Sequence, residues 1–411
     1  MKIQPIRGTH DYYDLDLHKI KLIEKKIRAR AANFGFSEIV TPIFESSNLF
    51  SKPLGEQSDV VLKEMYSFKD KNNSSLTLRP EYTTPIIRAA ISNKLLNKLP
   101  KKMFGIGSMF RRERPQKGRF RQFNQMNFEI FGSDDPISDF ELIFISNLIL
   151  KDILPNQKFE LSINSLGDRN TLKKYKKSLS VFFDKYKNDL SDDSKNKINS
   201  NPLRILDSKD NKDIKICKNI PLISNLYSNE AFKIFEEVQK LLLDSKISFK
   251  IDNKLVRGLD YYCHTVFEFK NNNLGSQDTV IGGGRYDGLI KIIGGPDIPG
   301  VGFAGGLERL MLLMDPITID NTNNHLIVID EKLKNYGLNV FNKLHENNIP
   351  VYWDYKFNLK KSLSLANEKK ARFAIIVGDD EVKNQKYTLK DLTNFSQETY
   401  SLKELIKKFN K

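Results

Sequence analysis

A chain of 411 residues with 39% hydrophobic composition holds enough apolar material for two or three packed domains. Its formal net charge of +15 favours a polyanionic partner such as nucleic acid, although a Lys- and Asn-rich surface bias produces the same sum. Two cysteines outside any CxxC pair and five scattered histidines argue against a disulfide framework, a zinc knuckle or an HExxH-type metal site. No apolar run approaches a membrane span, and the polar opening "MKIQPIRGTHDYYD" has no signal-peptide core, so a soluble cytoplasmic protein is expected.

Taken in chain order, "DLHKIKLIEKKIRARAANFGF" puts Ile20, Ile23 and Ile27 near one stripe and predicts an amphipathic helix ending at Gly35. "SEIVTPIFE" reads as a short strand broken by Pro42, and "SSLTLRPEYTTPIIRAAI" as a strand running into a helix with Arg79, Pro80 and Glu81 at the junction. A hairpin follows: "KKMFGIGSMFRR" comes in, "ERPQKG" is the loop and "RFRQFNQMNFEIFG" returns. "SDFELIFISNLIL" is an apolar helix. From about 168 to 228 the composition turns Lys-, Asp- and Ser-rich, which predicts an inserted helical module. The core pattern resumes with the helix "AFKIFEEVQKLLLDSKI" and the strand of "LVRGLDYYCHTVFEFK". Glycines in "VIGGGRYDGLI" and "GGPDIPGVGFAGGLERLMLLM" let backbone approach closely. "DPITIDNTNN" reads as a linker. Beyond it, strands "HLIVID", "IPVYWDY" and "ARFAIIVGD" alternate with helices, which predicts a small, mainly parallel α/β unit.

Five arginines fall between Arg111 and Arg121, and the strand after them alternates residue by residue. Period two places Arg121, Phe123, Gln125, Asn127 and Glu129 on one face, with Arg111 closing the incoming strand. A buried carboxylate and amides need partners, so this face is no ordinary core. It is either an exposed salt-bridge ladder or a site. As a site it offers guanidinium for phosphate, an aromatic ring for a base, and amide plus carboxylate for a small polar ligand.

These residues resemble the class II aminoacyl-tRNA synthetases, in the form carried by the histidyl-tRNA synthetase family. "MFRRERPQKGRFRQFNQMNFEIFG" looks like motif 2, "GVGFAGGLERL" is similar to motif 3, and "FGFSEIVTPIFE" with Pro42 to the weaker motif 1. "LVRGLDYY" and "GGGRYDGL" resemble the histidine-specific signatures; "RGTHDYY" and "LTLRPEYTT" fit as well. The resemblance implies a mixed, mainly antiparallel sheet flanked by helices over residues 1–322, with the helical insertion, and a C-terminal α/β anticodon-binding domain over 323–411. It implies a homodimer formed through the motif 1 region, partnered by tRNA(His).

Carried over residue by residue, the resemblance gives Arg111 the α-phosphate and Arg309 the γ-phosphate of ATP, Phe123 the adenine ring and Glu113 its amino group. Glu81, Thr83 and Gln125 correspond to contacts of the substrate ammonium. Glu129, Tyr261, Tyr262 and Tyr286 line the imidazole pocket, with Glu129 accepting and Tyr262 donating. Arg257 of "RGLDYY" serves at the α-phosphate as the substrate carboxylate attacks, so Arg257 and Arg111 are the expected catalytic pair. Arg114 and Gln116 correspond to contacts with the tRNA acceptor end. Mg2+ would ride on the β- and γ-phosphates, with no protein-held metal. Two departures stand out: Tyr82 where "RPEGT" has glycine, and Asn127 where a small residue is usual. Cys263 and His264, adjoining "RGLDYY", read as filler. The rival with the same core is the regulatory subunit of ATP phosphoribosyltransferase, which lacks the anticodon domain and degrades "RGLDYY".

Overall fold

The computed structural model describes residues 3–55, 58–317 and 324–410. The chain divides into two units, 1–317 and 318–411. The expected linker falls largely on 318–323, outside the described residues.

Among the described residues the first unit holds an eight-stranded sheet, ordered β1-β5-β6-β11-β10-β9-β7-β8. Its strands are β1 (Ser37–Glu38), β5 (Lys101–Phe110), β6 (Gln122–Phe131), β7 (Glu160–Ser165), β8 (Lys250–Ile251), β9 (Cys263–Lys270), β10 (Thr279–Arg285) and β11 (Gly300–Gly306). The six inner strands pair antiparallel, and only β1 and β8 at the edges pair parallel. A separate antiparallel sheet joins β2 (Phe44–Ser46), β4 (Ser75–Leu78) and β3 (Tyr66–Lys69).

Alternation along the strands divides the apolar residues between two cores. On one face Phe104, Phe128, Phe267 and Phe303 meet helices Asp14–Asn33 and Pro136–Ile153, with Ile23 and Ile27 fully buried. Phe128 stacks between Phe104 and Phe303 at 5.3 and 4.9 Å. Each such buried side chain contributes roughly 1.5–3 kcal/mol. Asp135 caps the second helix by accepting from the Ile137 amide at 2.8 Å, ahead of Pro136 at its first position.

The opposite face carries Tyr82, Ile86, Val266, Tyr262 and Tyr286, packed against helix Arg169–Lys185 and the short helices that follow it. One face of the sheet is thus closed by long helices. The other is left polar along β6, where Gln125, Asn127 and Glu129 point away from the phenylalanine ladder.

The second unit has its own core around Val328, Val340, Trp353 and Val377. Its strands are β12 (Asn324–Val328), β13 (Val351–Trp353), β14 (Phe373–Val377), β15 (Tyr387–Asp391) and β16 (Gln397–Tyr400), ordered β13-β12-β14-β15-β16. β12 pairs parallel with β13 and β14, but β15 and β16 add antiparallel. The expected mainly parallel sheet is therefore mixed. The reason is local: the chain leaves β14 by the short helix Asp379–Asn384, which does not make a full crossover.

Candidate active site

The hairpin β5–β6 forms as expected, with a longer connection: Arg111 through Arg121 all lie outside the strands. Gln116 and Arg119 exchange main-chain hydrogen bonds of 3.1 and 2.9 Å, which closes a tight turn inside it. Arg121 does not share the face of Phe123. Its amide donates to the Gly8 carbonyl at 2.8 Å, and its side chain lines a shallow cleft of about 320 Å³ with Arg7, Arg112 and Arg114. Arg114 and Gln116 are exposed.

A second cleft, of about 310 Å³, gathers Arg111, Phe123, Gln125, Arg257 and Arg309 from four separate stretches of chain. Arg111 donates from Nε to the Pro80 carbonyl at 2.8 Å, and its guanidinium lies 5.4 Å over the Phe123 ring. Arg309, at the start of helix Leu307–Leu313, donates from Nε to the Gly118 carbonyl at 3.1 Å and from Nη1 to the Thr279 carbonyl. Burial, then the neighbouring Arg111 and Arg119 guanidinium groups, bring Arg309 down to about 10. Burial likewise lowers Arg111. Glu113 is buried and engaged by Arg119, with Arg111 3.9 Å away, so its carboxylate is already committed to cations.

Arg257 lies over the Tyr262 ring at 5.8 Å and pairs with Glu268 of β9. Burial is the largest single influence and works against its charge, but the Glu268 carboxylate together with the Tyr262 and Tyr261 hydroxyls raises Arg257 above its ordinary value. The Gln125 Oε1 acceptor and the Arg257 Nε donor are buried without a hydrogen-bond partner. Such groups are costly unless a ligand completes them.

Deeper on β6, Glu129 is fully buried. It accepts from the Thr83 hydroxyl at 2.7 Å, from the Asn127 amide at 3.4 Å and from the Tyr286 hydroxyl. Burial pushes this carboxyl up to about 8, against those donors. Tyr286, expected as a wall, is thus the donor that meets Glu129. Tyr261, Tyr262 and Tyr286 pack as a group, with ring centres 4.7 to 6.5 Å apart. Burial raises all three. Asn127 fills its position usefully, since its amide also donates to the Thr83 hydroxyl at 3.2 Å.

Glu81 accepts from the amides of Thr83 and Thr84, both at 2.8 Å, and so caps helix Thr83–Ser92 while remaining at the pocket. Burial pushes it up, opposed by the Thr84 and Thr83 donors. Tyr82 turns away from the pocket. Its ring is fully buried beneath the Arg79 guanidinium at 4.2 Å, and the Thr41 amide donates to its hydroxyl at 3.3 Å. Gly105 makes the room, because a Cβ there would stand 2.6 Å from the ring. Thr83 therefore keeps its place despite the missing glycine.

Sequence reasoning missed Glu268, Arg119, Glu308 and Arg285. Glu268 carried a signal, being a lone carboxylate alternating with Phe267 and Phe269. Glu308 accepts from the Asn124 main-chain and side-chain amides at 2.8 and 3.0 Å, joining β6 to the helix that bears Arg309. Arg285 is buried behind Tyr286, bound to Asp139 and to the Ser133 carbonyl at 2.8 Å. Only the fold brings these partners together.

An antiparallel sheet with a guanidinium-lined cleft at the motif 2 hairpin, and a second unit of mixed α/β build, is the architecture of a class II aminoacyl-tRNA synthetase. The family model described as histidyl-tRNA synthetase matches residues 8–175 and 200–310, and that of the anticodon binding domain matches 317–411. The histidine–tRNA ligase of Wolbachia pipientis wMel is 45% identical over 95% of this chain and 96% of its own. That of Ehrlichia chaffeensis is 43% identical over 97% and 95%. The crystal structure of apo S. aureus histidyl-tRNA synthetase superposes with a TM-score of 0.82 at 32% identity, covering 100% of both chains. The chain belongs to the histidyl-tRNA synthetase family.

Proposed function

We propose that the two adjoining pockets make histidyl-adenylate and that the chain acts as a histidine–tRNA ligase. The observation that carries the reading is the meeting of Arg111, Arg257, Arg309, Phe123 and Gln125 in one cleft beside the buried Glu129–Thr83–Tyr286 cluster. Full-length kinship to named histidine–tRNA ligases, together with the matched anticodon-binding unit and an intact "RGLDYY", favours the enzyme over the regulatory paralogue.

The reaction needs no general base, because an amino-acid carboxylate is ionised near neutral pH. That carboxylate attacks the α-phosphorus of ATP, a mixed anhydride forms, and pyrophosphate leaves. Arg111 and Arg257 stabilise charge building at the α-phosphate, Arg309 holds the γ-phosphate, and Phe123 stacks on adenine. Glu113 meets the adenine amino group once Arg119 yields it. Magnesium enters with the substrate as MgATP.

Gln125 Oε1, Glu81 and Thr83 receive the substrate ammonium. A neutral imidazole has one N–H and one bare nitrogen. Glu129, held by Tyr286 and Thr83, accepts from the first, and Tyr262 with Tyr261 serves the other side. A hydroxyl of the terminal adenosine of tRNA(His) then attacks the acyl carbon of the adenylate, an ester forms, and AMP leaves with the hydroxyl proton passing to its phosphate or to water. Arg114, exposed beside Arg7 and Arg112, and the exposed Gln116 suit the phosphates of the acceptor end. A homodimer through the motif 1 region is supported by Val40, 78% exposed, and by Ile43 and Phe44 beside it. No helix among the described residues is long and apolar enough to cross a membrane, which accords with work in the cytoplasm.

The deciding experiment is ATP–pyrophosphate exchange with each of the twenty amino acids. Histidine alone should drive it, since a site built on buried hydrogen bonds rejects ligands lacking them by about four orders of magnitude. Exchange with another amino acid, or none, would refute the assignment.

A further inference from the structure

The two segments that supply Tyr262 and Tyr286 each carry further groups one or two residues on. Cys263 and His264 open β9, and Asp287 follows the end of β10. The Cys263 sulfur, a His264 ring nitrogen and an Asp287 carboxylate oxygen all lie within 4.8 Å of one another. They line a cleft of about 350 Å³ together with Asp168. His264 adopts a left-handed backbone, φ 46°, and its buried Nδ1 has no hydrogen-bond partner. The Asp287 amide donates to the Cys263 sulfur at 3.2 Å, a contact that favours sulfur as an anion. One Asp287 oxygen accepts from the Gly300 amide at 3.1 Å, which leaves the other for a ligand. Two cations adjoin the cluster: Arg285 pairs with Asp139 and also stands 3.6 Å from the same Asp287 oxygen that Gly300 meets, and Arg169 donates to the Asp287 main-chain carbonyl at 3.3 Å.

We propose that Cys263, His264 and Asp287 form a three-ligand site for a zinc-type divalent ion, with water as the fourth ligand. Thiolate, imidazole and carboxylate are the donors such an ion takes, whereas magnesium prefers oxygen alone. One thiolate and one carboxylate neutralise a dication. Burial pushes the Cys263 thiol up, so the ion replaces its proton, which passes to water. Bonds of about 2.0–2.3 Å set the ligand atoms of a tetrahedral site about 3.5 Å apart, so binding draws the three side chains inward. The ion would then tie the start of β9 to the turn after β10, behind the tyrosine group. This site is independent of the ligase reading.

The test is titration of the intact, chelator-treated protein with Co2+, followed by displacement with Zn2+. One ion per chain and a thiolate-to-cobalt absorption band are expected. Cys263→Ser and Asp287→Asn should each weaken binding by more than the ~10–100-fold that loss of an outer-shell partner costs. Melting curves establish that each variant is folded. If Cys263→Ser is not, Asp287→Asn and His264→Asn carry the comparison, asparagine being tolerant of the left-handed backbone. Absence of the sulfur band in the intact protein, or equal affinity in the folded variants, overturns the site.

Discussion

Arg257 keeps its charge in a buried position because Glu268, Tyr262 and Tyr261 together oppose the effect of burial, and this makes it the most informative residue to remove. If its guanidinium meets charge that builds only in the transition state, Arg257→Ala lowers single-turnover adenylation about a hundred- to a thousandfold. Equilibrium binding of ATP falls much less, because Arg111 and Arg309 remain. Lysine at 257 should recover only part, having charge without the planar fork. An unchanged chemical step in a folded variant would make this arginine structural. Glu129 gives a separate expectation in pH. Its folded value of about 8 stands above that of an exposed carboxyl, so its contribution to stability is full only below about 4.5. That contribution is lost as pH rises through 8. The unfolding free energy of ligand-free Glu129→Gln, relative to the parent, should therefore climb between pH 5 and pH 8, by at most about 1.4 kcal/mol per pH unit. A flat difference would mean that Glu129 is ionised throughout.

Strand β10 supports Arg257 from below, and Gly282 is where it does so: a Cβ there would stand 2.5 Å from Nη1 of that arginine. Gly282→Ala should displace the guanidinium without removing it. Adenylation is expected to drop by up to about a hundredfold, the effect of a displacement near 1 Å, with the melting temperature little changed. A normal rate would show that the exact seat of Arg257 does not matter. This strand also marks how far the sequence could be read. Period-two alternation on β6 located Phe123, Gln125, Asn127 and Glu129, because one face had to meet the phenylalanine core. It overreached at Arg121, since alternation has no force once the ladder ends. Glu268 and Arg285 went unread because their partners, Arg257 and Asp139, are set by register and by helix packing. The antiparallel hairpin after β14 was missed for a similar reason. Short strands of similar composition do not state their direction.

At the scale of the molecule, the chain has two units with separate cores. All the proposed ATP and histidine contacts lie within 1–317. Deleting 318–411 should leave histidine-dependent pyrophosphate exchange nearly intact. Charging of tRNA should fall at least about tenfold, equal to roughly 1.4 kcal/mol of lost tRNA binding. A folded, truncated protein that charges tRNA normally would remove the anticodon role. The composition pointed the same way at the outset, as +15 charges favour a polyanion. Binding of tRNA should accordingly weaken steeply with salt, in a plot of log affinity against log salt concentration. An affinity indifferent to salt would mean that the basic surface is incidental.

Tyr82 is seated by Thr41, Arg79 and Gly105, which come from three different stretches of the chain. An evolutionary dependence follows. In a relative with glycine at 82, a side chain at 105 would have only the Ile39 carbonyl to clear, 2.9 Å from its Cβ, whereas with tyrosine it would meet the ring as well. Transplanting "RPEYT" alone into such a relative would drive the ring into an occupied space, whereas moving it together with the β5 segment would not. The two stretches should therefore be exchanged as one unit, and an exchange that splits them should lower the yield of soluble protein.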